Sequence, residues 1–289
     1  MKRNLKLVAI FGLVGLAILI GLFVPKPATP LPKPNGYDDF LKAGSMLAPD
    51  PIGFNDLSTD ELRALVARNA DALRLTRAGV QRECRVPLDY SMSYASNHIS
   101  DLDIFKRLVR AIVAEGKLAE RENRPKDAAP AYLDAIRLGH ECSRGGVIID
   151  MLVGVGGQAF GCRAMRGLLG HLQAQECREA IHQLEGMESK SEPATDIVNH
   201  ERSWGRRTFG WRGQLVRLMT WQSLKQIEQK AIAKLQAQQR ASRQQLIDLA
   251  VRAYELEKGQ SPKNVTDLVP VYLKSVPQDP LTGTIMALP

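Results

Sequence analysis

Apolar residues are distributed in three ways along this chain. Residues 7–24 read LVAIFGLVGLAILIGLFV, apolar throughout, with no charge and no proline. From residue 59 to residue 258 the apolar positions recur at helical spacing, as in Leu62, Leu65, Val66 and Leu73. After Gly259 they stand singly between prolines. The pattern predicts a membrane anchor, a helical body and a compact tail.

Eighteen apolar residues at helical rise reach roughly 27 Å, enough for a bilayer core. Lys2, Arg3 and Lys6 precede the run, so residues 1–6 are expected in the cytoplasm and the rest across the membrane. The run is longer than the apolar core of a cleaved signal peptide, and no A-x-A site follows it. Residues 25–36 hold prolines 25, 27, 30, 32 and 34, the composition of a semi-rigid spacer.

Ser58 and Glu61 form a capping-box pattern that opens a helix ending between Gly79 and Cys84. RVPLDYSMSYASNHIS reads as a loop, and a second helix is expected from Asp101 or Asp103. Residues 103–139 resemble one hairpin of the tetratricopeptide repeat. Gly116, Ala128, Tyr132 and Ala135 fall at that repeat's small and aromatic positions. The resemblance implies that Gly116 and Ala128 face each other across closely packed helices, with an aromatic filling the cleft. Ile112 and His140 stand where the repeat has its first aromatic and its proline, and no second copy follows at that period.

Val147 to Leu169 reads as a buried helix with close packing at Gly157 and Gly161. The match of Gly154 to Ala159 to G-x-G-x-x-A lacks the strands of a dinucleotide site, and Asp150 and Arg163 interrupt any second membrane span. Leu215, Leu218, Trp221, Leu224, Ile227, Ala231 and Leu235 make one narrow stripe on a long helix. The stretch Arg202 to Arg252 around it carries eleven Lys or Arg against Glu228 and Asp248, a solvated basic face or a surface for anionic lipid or an acidic partner.

Composition narrows the function classes. The net charge is +8, but Lys2, Arg3, Lys6, Lys26 and Lys33 account for +5 of it, leaving +3 for the remainder. The excess flanks the anchor, so a nucleic-acid partner is not expected. No HExxH, G-x-S-x-G, phosphate loop or CxxC occurs, so no cofactor or metal is assigned and catalytic residues stay unknown. Asp150, His140 and Glu201 are the polar residues around which an enzyme site would have to be built. Cys84, Cys142, Cys162 and Cys177 lack metal-ligand spacing and are either two disulfides or buried thiols.

The tail is the most patterned stretch. Gly259 suits the position after a helix, Ser261-Pro262 suits a short restart, and Asp279 to Gly283 suits a turn. Leu268, Tyr272 and Leu273 are expected to fold back on the helix ending at Lys258, with Pro270 and Pro277 stopping further helix and a short strand over 284–288. A-x-Y-x-L-E-x-G-x-x-P followed by L-V-P-x-Y-L-x-x-V-P-x-D-P-x-T-G resembles the C-terminal segment of uncharacterised bacterial membrane-anchored proteins. More distantly, it is similar to the tail of type II secretion pseudopilins. The matching positions are Ala253, Tyr254, Gly259, Pro262, Leu268, Pro270, Tyr272, Leu273, Pro277, Asp279, Pro280 and Gly283. The chain departs from the pseudopilin pattern in lacking a prepilin cleavage motif and a closing aromatic. In some pseudopilins this region helps bind calcium; here Asp279 stands without an acidic neighbour, so a structural turn is expected.

The expectation is therefore a mostly α protein: a single N-terminal transmembrane helix, an irregular helical domain over 37–258 and a folded-back tail over 259–289. It implies an inner-membrane, single-pass protein with an extracytoplasmic interaction or scaffold domain, and another envelope protein as partner. An envelope enzyme or a pseudopilin-like secretion component is the alternative.

Overall fold

The computed structural model describes residues 30–49 and 53–289; the side chains of 55, 95, 96, 211, 212 and 214–218 are outside the description. Among the described residues the chain is helical and without strands. The anchor expected over 7–24 lies outside the described residues. Within them, no helix is long and apolar enough to cross a membrane, including the one over Ile148–Leu168.

The α-helices are α1 (Gly36–Ser45), α2 (Thr59–Arg68), α3 (Ala70–Val80), α4 (Tyr94–Arg121), α5 (Pro125–Glu141), α6 (Ile148–Leu168), α7 (Ala174–Glu188), α8 (Ala194–Met219) and α9 (Trp221–Lys258). Helix α5 packs against both α4 and α6, α1 lies over α3 and α4, and α9 covers α6 and α7. One continuous apolar core runs from α1 to the tail, anchored by Tyr37, Phe40 and Phe105, whose rings meet edge-on at 5.0 and 6.1 Å. Ile148, Met151, Ile197 and Ala231 form a smaller second cluster.

The expected capping box opens α2, with the Ser58 N–H donating to Glu61 Oε2 at 2.8 Å and Ser58 Oγ accepting from the Glu61 N–H. The helix predicted to run to residues 79–84 is broken at Asn69. The buried Asn69 amide donates to the Leu65 carbonyl at 3.0 Å and accepts from the Ala48 N–H at 2.9 Å. A side chain that competes for backbone partners in this way interrupts the helical ladder. Helix α4 starts at Tyr94, seven residues before Asp101, because Tyr94 and His98 are buried by other helices. The long basic helix is likewise divided, with Thr220 between α8 and α9 and a non-helical Gly210 inside α8.

Gly259 adopts φ +68 and ends α9 through a bond to the Glu255 carbonyl. The restart expected at Ser261-Pro262 occurs later, as a 3-10 turn over Val265–Leu268; Asp267 Oδ2 accepts from Lys263 and Asn264 N–H groups, which fixes its start. The strand expected over 284–288 is reduced to one antiparallel bridge between Gln278 and Ile285. Pro277 has no N–H to donate, so it accepts from Met286 and the ladder stops there.

Candidate functional site

Glycines decide how α6 meets its neighbours. A Cβ on Gly139 would lie 2.5 Å from the Gln158 nitrogen and 2.7 Å from the Gly154 carbonyl oxygen, and one on Gly161 would lie 3.0 Å from the Tyr132 carbonyl oxygen. The α5 and α6 backbones therefore touch. The side of α6 turned toward α4 is different. There Leu152, Val153, Gly156, Gly157 and Phe160 recur at i, i+1, i+4, i+5 and i+8, one helical face. Two of its five positions have no side chain, and the space between α4 and α6 stays open.

The result is a cleft of about 570 Å³, walled by α6 on one side and by Phe105, Lys106, Val109 and Arg110 of α4 on the other. Gly139 and Cys142 of α5 contribute to its lining, and Gly53 and Phe54 flank it. Phe54 meets Phe160 edge-on at 6.3 Å, so that segment walls one side. The volume falls within the range of small-molecule pockets, about 300–1,000 Å³. Among the described residues, Lys106 and Arg110 are the charged ones of the lining, and no carboxylate belongs to it. Burial holds the Cys142 thiol far above its ordinary value, which makes it a poor nucleophile.

A separate buried polar cluster joins α4 to α6. His98 Nε2 and Asp150 Oδ1 are 2.5 Å apart, with side-chain exposures of 4% and 0%. Asp150 Oδ2 also accepts from the Val147 N–H at 2.8 Å, and Asp101 lies 3.7 Å from His98 Nδ1. The Tyr94 ring stacks on His98 at 4.6 Å and Trp204 leans on Tyr94. Burial opposes the charged imidazole. The hydrogen bond and charge of Asp150, with the charge of Asp101, outweigh it and hold His98 above its ordinary value. Burial and the same carboxylates push the hydroxyls of Tyr37 and Tyr94 upward.

The three polar residues named from the sequence have separate structural partners. Asp150 holds His98 and the start of α6. His140 pairs with Glu141 at 3.2 Å, and Glu201 accepts the Ile148 N–H at 3.0 Å. None of the three lines the cleft. His98 was missed because its partner is 52 residues away and no local motif marks it. Among the described residues, no group of three or more His, Cys, Asp and Glu is placed to hold a metal ion. The four cysteines are buried free thiols, and burial pushes Cys84 to about 12 and Cys177 to about 11.

In the hairpin residues, the Tyr132 ring lies against Gly116. A Cβ on Gly116 would lie 2.4 Å from the Tyr132 ring, while Ala128 and Ala135 are fully buried on α5. Tyr132 donates its hydroxyl proton to Glu120 at 2.6 Å.

The tail docks on α7 and α9. Leu268, Tyr272 and Leu273 are buried, as is Pro262; Tyr254 meets the Tyr272 ring at 5.5 Å, and the Tyr272 hydroxyl donates to Glu257 at 2.9 Å. The Arg178 guanidinium sits 4.5 Å from the Tyr272 ring centroid and donates to Glu257 through Nε and Nη2 at 2.8 and 2.7 Å. Pro270 is exposed and follows a cis peptide bond; Pro277 and Pro280 are half-buried. Asp279 accepts from the Leu281 N–H at 2.8 Å and pairs with Arg240 at 3.1 Å; Gly283 takes φ +71 and closes the turn on the Asp279 carbonyl.

No protein-family model, curated protein or solved structure matches the chain. The described residues form a mostly helical domain with an apolar cleft.

Proposed function

We propose that this chain is a single-pass protein of the bacterial inner membrane, anchored by residues 7–24 with its N-terminus in the cytoplasm. Its helical domain stands outside the cytoplasm and works as an interaction or scaffold module for another envelope protein. The α4–α5 pair serves as one tetratricopeptide-like hairpin, and the pseudopilin-like tail closes the domain against α7 and α9.

The supporting observation is the uncovered start of α9. Trp221 and Ile227 are 54% and 55% exposed, and Met219 just before them is 87% exposed. The other end of the same stripe, at Ala231 and Leu235, packs against Ile148, Met151 and Ile197. Apolar side chains left exposed at one end of a helix whose stripe is packed further along are the mark of a partner surface. Lys225, whose amine lies 5.8 Å from the Trp221 ring, and Lys230 flank it. These cations favour a second reading, in which the surface rests on anionic lipid.

A photoreactive phenylalanine analogue at position 221 of the full chain in intact cells tests both, with position 179 on α7 as control. The expected result is a light-dependent protein adduct from 221 and none from 179. A lipid-mass adduct from 221 would transfer the surface to the lipid reading. Equal adducts from both positions, or none, would discard it. A C-terminal phosphatase fusion, active only outside the cytoplasm, checks the topology.

A further inference from the structure

We propose that the cleft between α4 and α6 binds a long-chain carboxylate, its acyl chain against Phe105, Val109, Val153 and Phe160 and its carboxylate at Lys106. This goes beyond the partner surface on α9 and rests on different residues.

Three observations carry the inference. First, the cleft is open by sequence design rather than by loose packing. Gly156 lies in the middle of the α6 face that lines it, and a Cβ there would meet no atom within 4 Å. Gly157 beside it would bring a Cβ to 3.1 Å from Val109, so the inner edge is closed while the outer part is free. Secondly, the walls are aromatic and aliphatic, the lining suited to an apolar chain. Thirdly, the described mouth of the cleft carries a cation. Lys106 is exposed at the rim, and among the described residues of the lining there is no carboxylate. An apolar slot with a cationic rim selects an amphiphile with an anionic head over a neutral or cationic one. The Phe54–Phe160 contact walls one side. A slot bounded in this way suits a flexible chain better than a helix of a partner protein, which needs a groove open along its length.

The test uses the full-length protein in phosphatidylcholine nanodiscs and a palmitate carrying a diazirine. Illumination should place adducts on residues 105–110 and 152–160, with unlabelled palmitate competing and palmityl alcohol competing at least tenfold less well. Gly156→Leu fills the open space and should cut labelling at least tenfold without lowering the melting temperature, since glycine is the poorer helix former. Val153→Trp fills the same space from the neighbouring position and guards against a folding failure in the first variant. Lys106→Glu should weaken competition by palmitate on the order of tenfold while leaving palmityl alcohol unchanged. The proposal is overturned by labelling that survives both filling variants in folded protein, or by adducts outside α4 and α6. Equal competition by palmitate and its alcohol would also overturn it. Displacement of the probe by an acidic amphipathic peptide but not by palmitate would assign the cleft to a protein partner and likewise overturn it.

Discussion

Two of the ion pairs that join distant helices differ in almost everything except distance. His98 and Asp150 tie α4 to α6 with side-chain exposures of 4% and 0%. Arg178 and Glu257 tie α7 to α9 with exposures of 34% and 33%, and Tyr272 brings the tail into the same contact. A buried pair offsets a large desolvation cost only while both partners and their hydrogen bonds are present. A half-exposed pair loses little when cut, because water replaces the missing partner. The buried pair should therefore govern whether the α4–α6 frame forms, and the surface network how firmly the tail is held.

The largest expected effect comes from breaking the buried pair from one side. Asp150→Ala strands His98 and the Val147 N–H, and should cost about 3–5 kcal/mol in urea denaturation. A double-mutant cycle with His98→Gln sharpens the comparison. A near-zero coupling energy would mean that α4 and α6 are held by packing alone. On the surface side, Tyr272→Ala removes a ring packed on Tyr254 and Arg178 and should cost about 3 kcal/mol. Tyr272→Phe removes only the hydroxyl bond to Glu257 and should cost about 0.5–1.5 kcal/mol. Equal losses from the two variants would show that the hydroxyl, rather than ring packing, holds the tail.

Acidity separates the two regions by sign. The folded-state value of His98 lies above its ordinary value, so its contribution is fully present below about 6.5 and fades as pH rises through the raised folded value. The Arg178 and Tyr272 hydrogen bonds lower Glu257 from 4.5 to about 2, so its contribution is present above 4.5 and fades as pH falls toward 2. Melting temperature against pH should have two limbs. His98→Gln should flatten the alkaline limb and Glu257→Gln the acid one. A profile in which either substitution alters the other limb would contradict the assignment.

What the sequence makes legible follows from the range of each interaction. The Ser58 cap, the glycine stop at 259 and the Asp279 to Gly283 turn are written in residues within five positions of one another, and each occurs where the pattern places it. The break at Asn69 depends on Ala48, 21 residues earlier, and the early start of α4 depends on Asp150. Neither leaves a local signal. The cleft is harder still. Gly157 and Gly161 were readable as close-packing positions, and the α5 contact uses them together with Gly154. That Gly156 faces an opening depends on where α4 lies, which periodicity along α6 does not contain.

The smallest expected effect concerns Asp279, where a structural turn and an ion site make opposite demands on one side chain. The carboxylate has two roles, an acceptor for the Leu281 N–H and a partner for Arg240, which is itself 58% exposed. Asp279→Asn keeps the acceptor and loses only the charge. An ion pair with so exposed a partner is worth about 0–1 kcal/mol, so the melting temperature should shift little. Asp279→Ala removes the acceptor too and leaves the Leu281 N–H without its side-chain bond, which should add roughly 1 kcal/mol. A calcium site would reverse the order of importance, because a hard cation is held by carboxylate charge that an amide does not supply. Melting the wild type and both variants with and without chelator distinguishes the two. A turn gives chelator-independent curves, with Asp279→Asn close to wild type and Asp279→Ala below it. A wild type that loses stability in chelator, matched by Asp279→Asn with or without it, would make the tail a metal-dependent element and place its hold on α9 outside the Arg178 network.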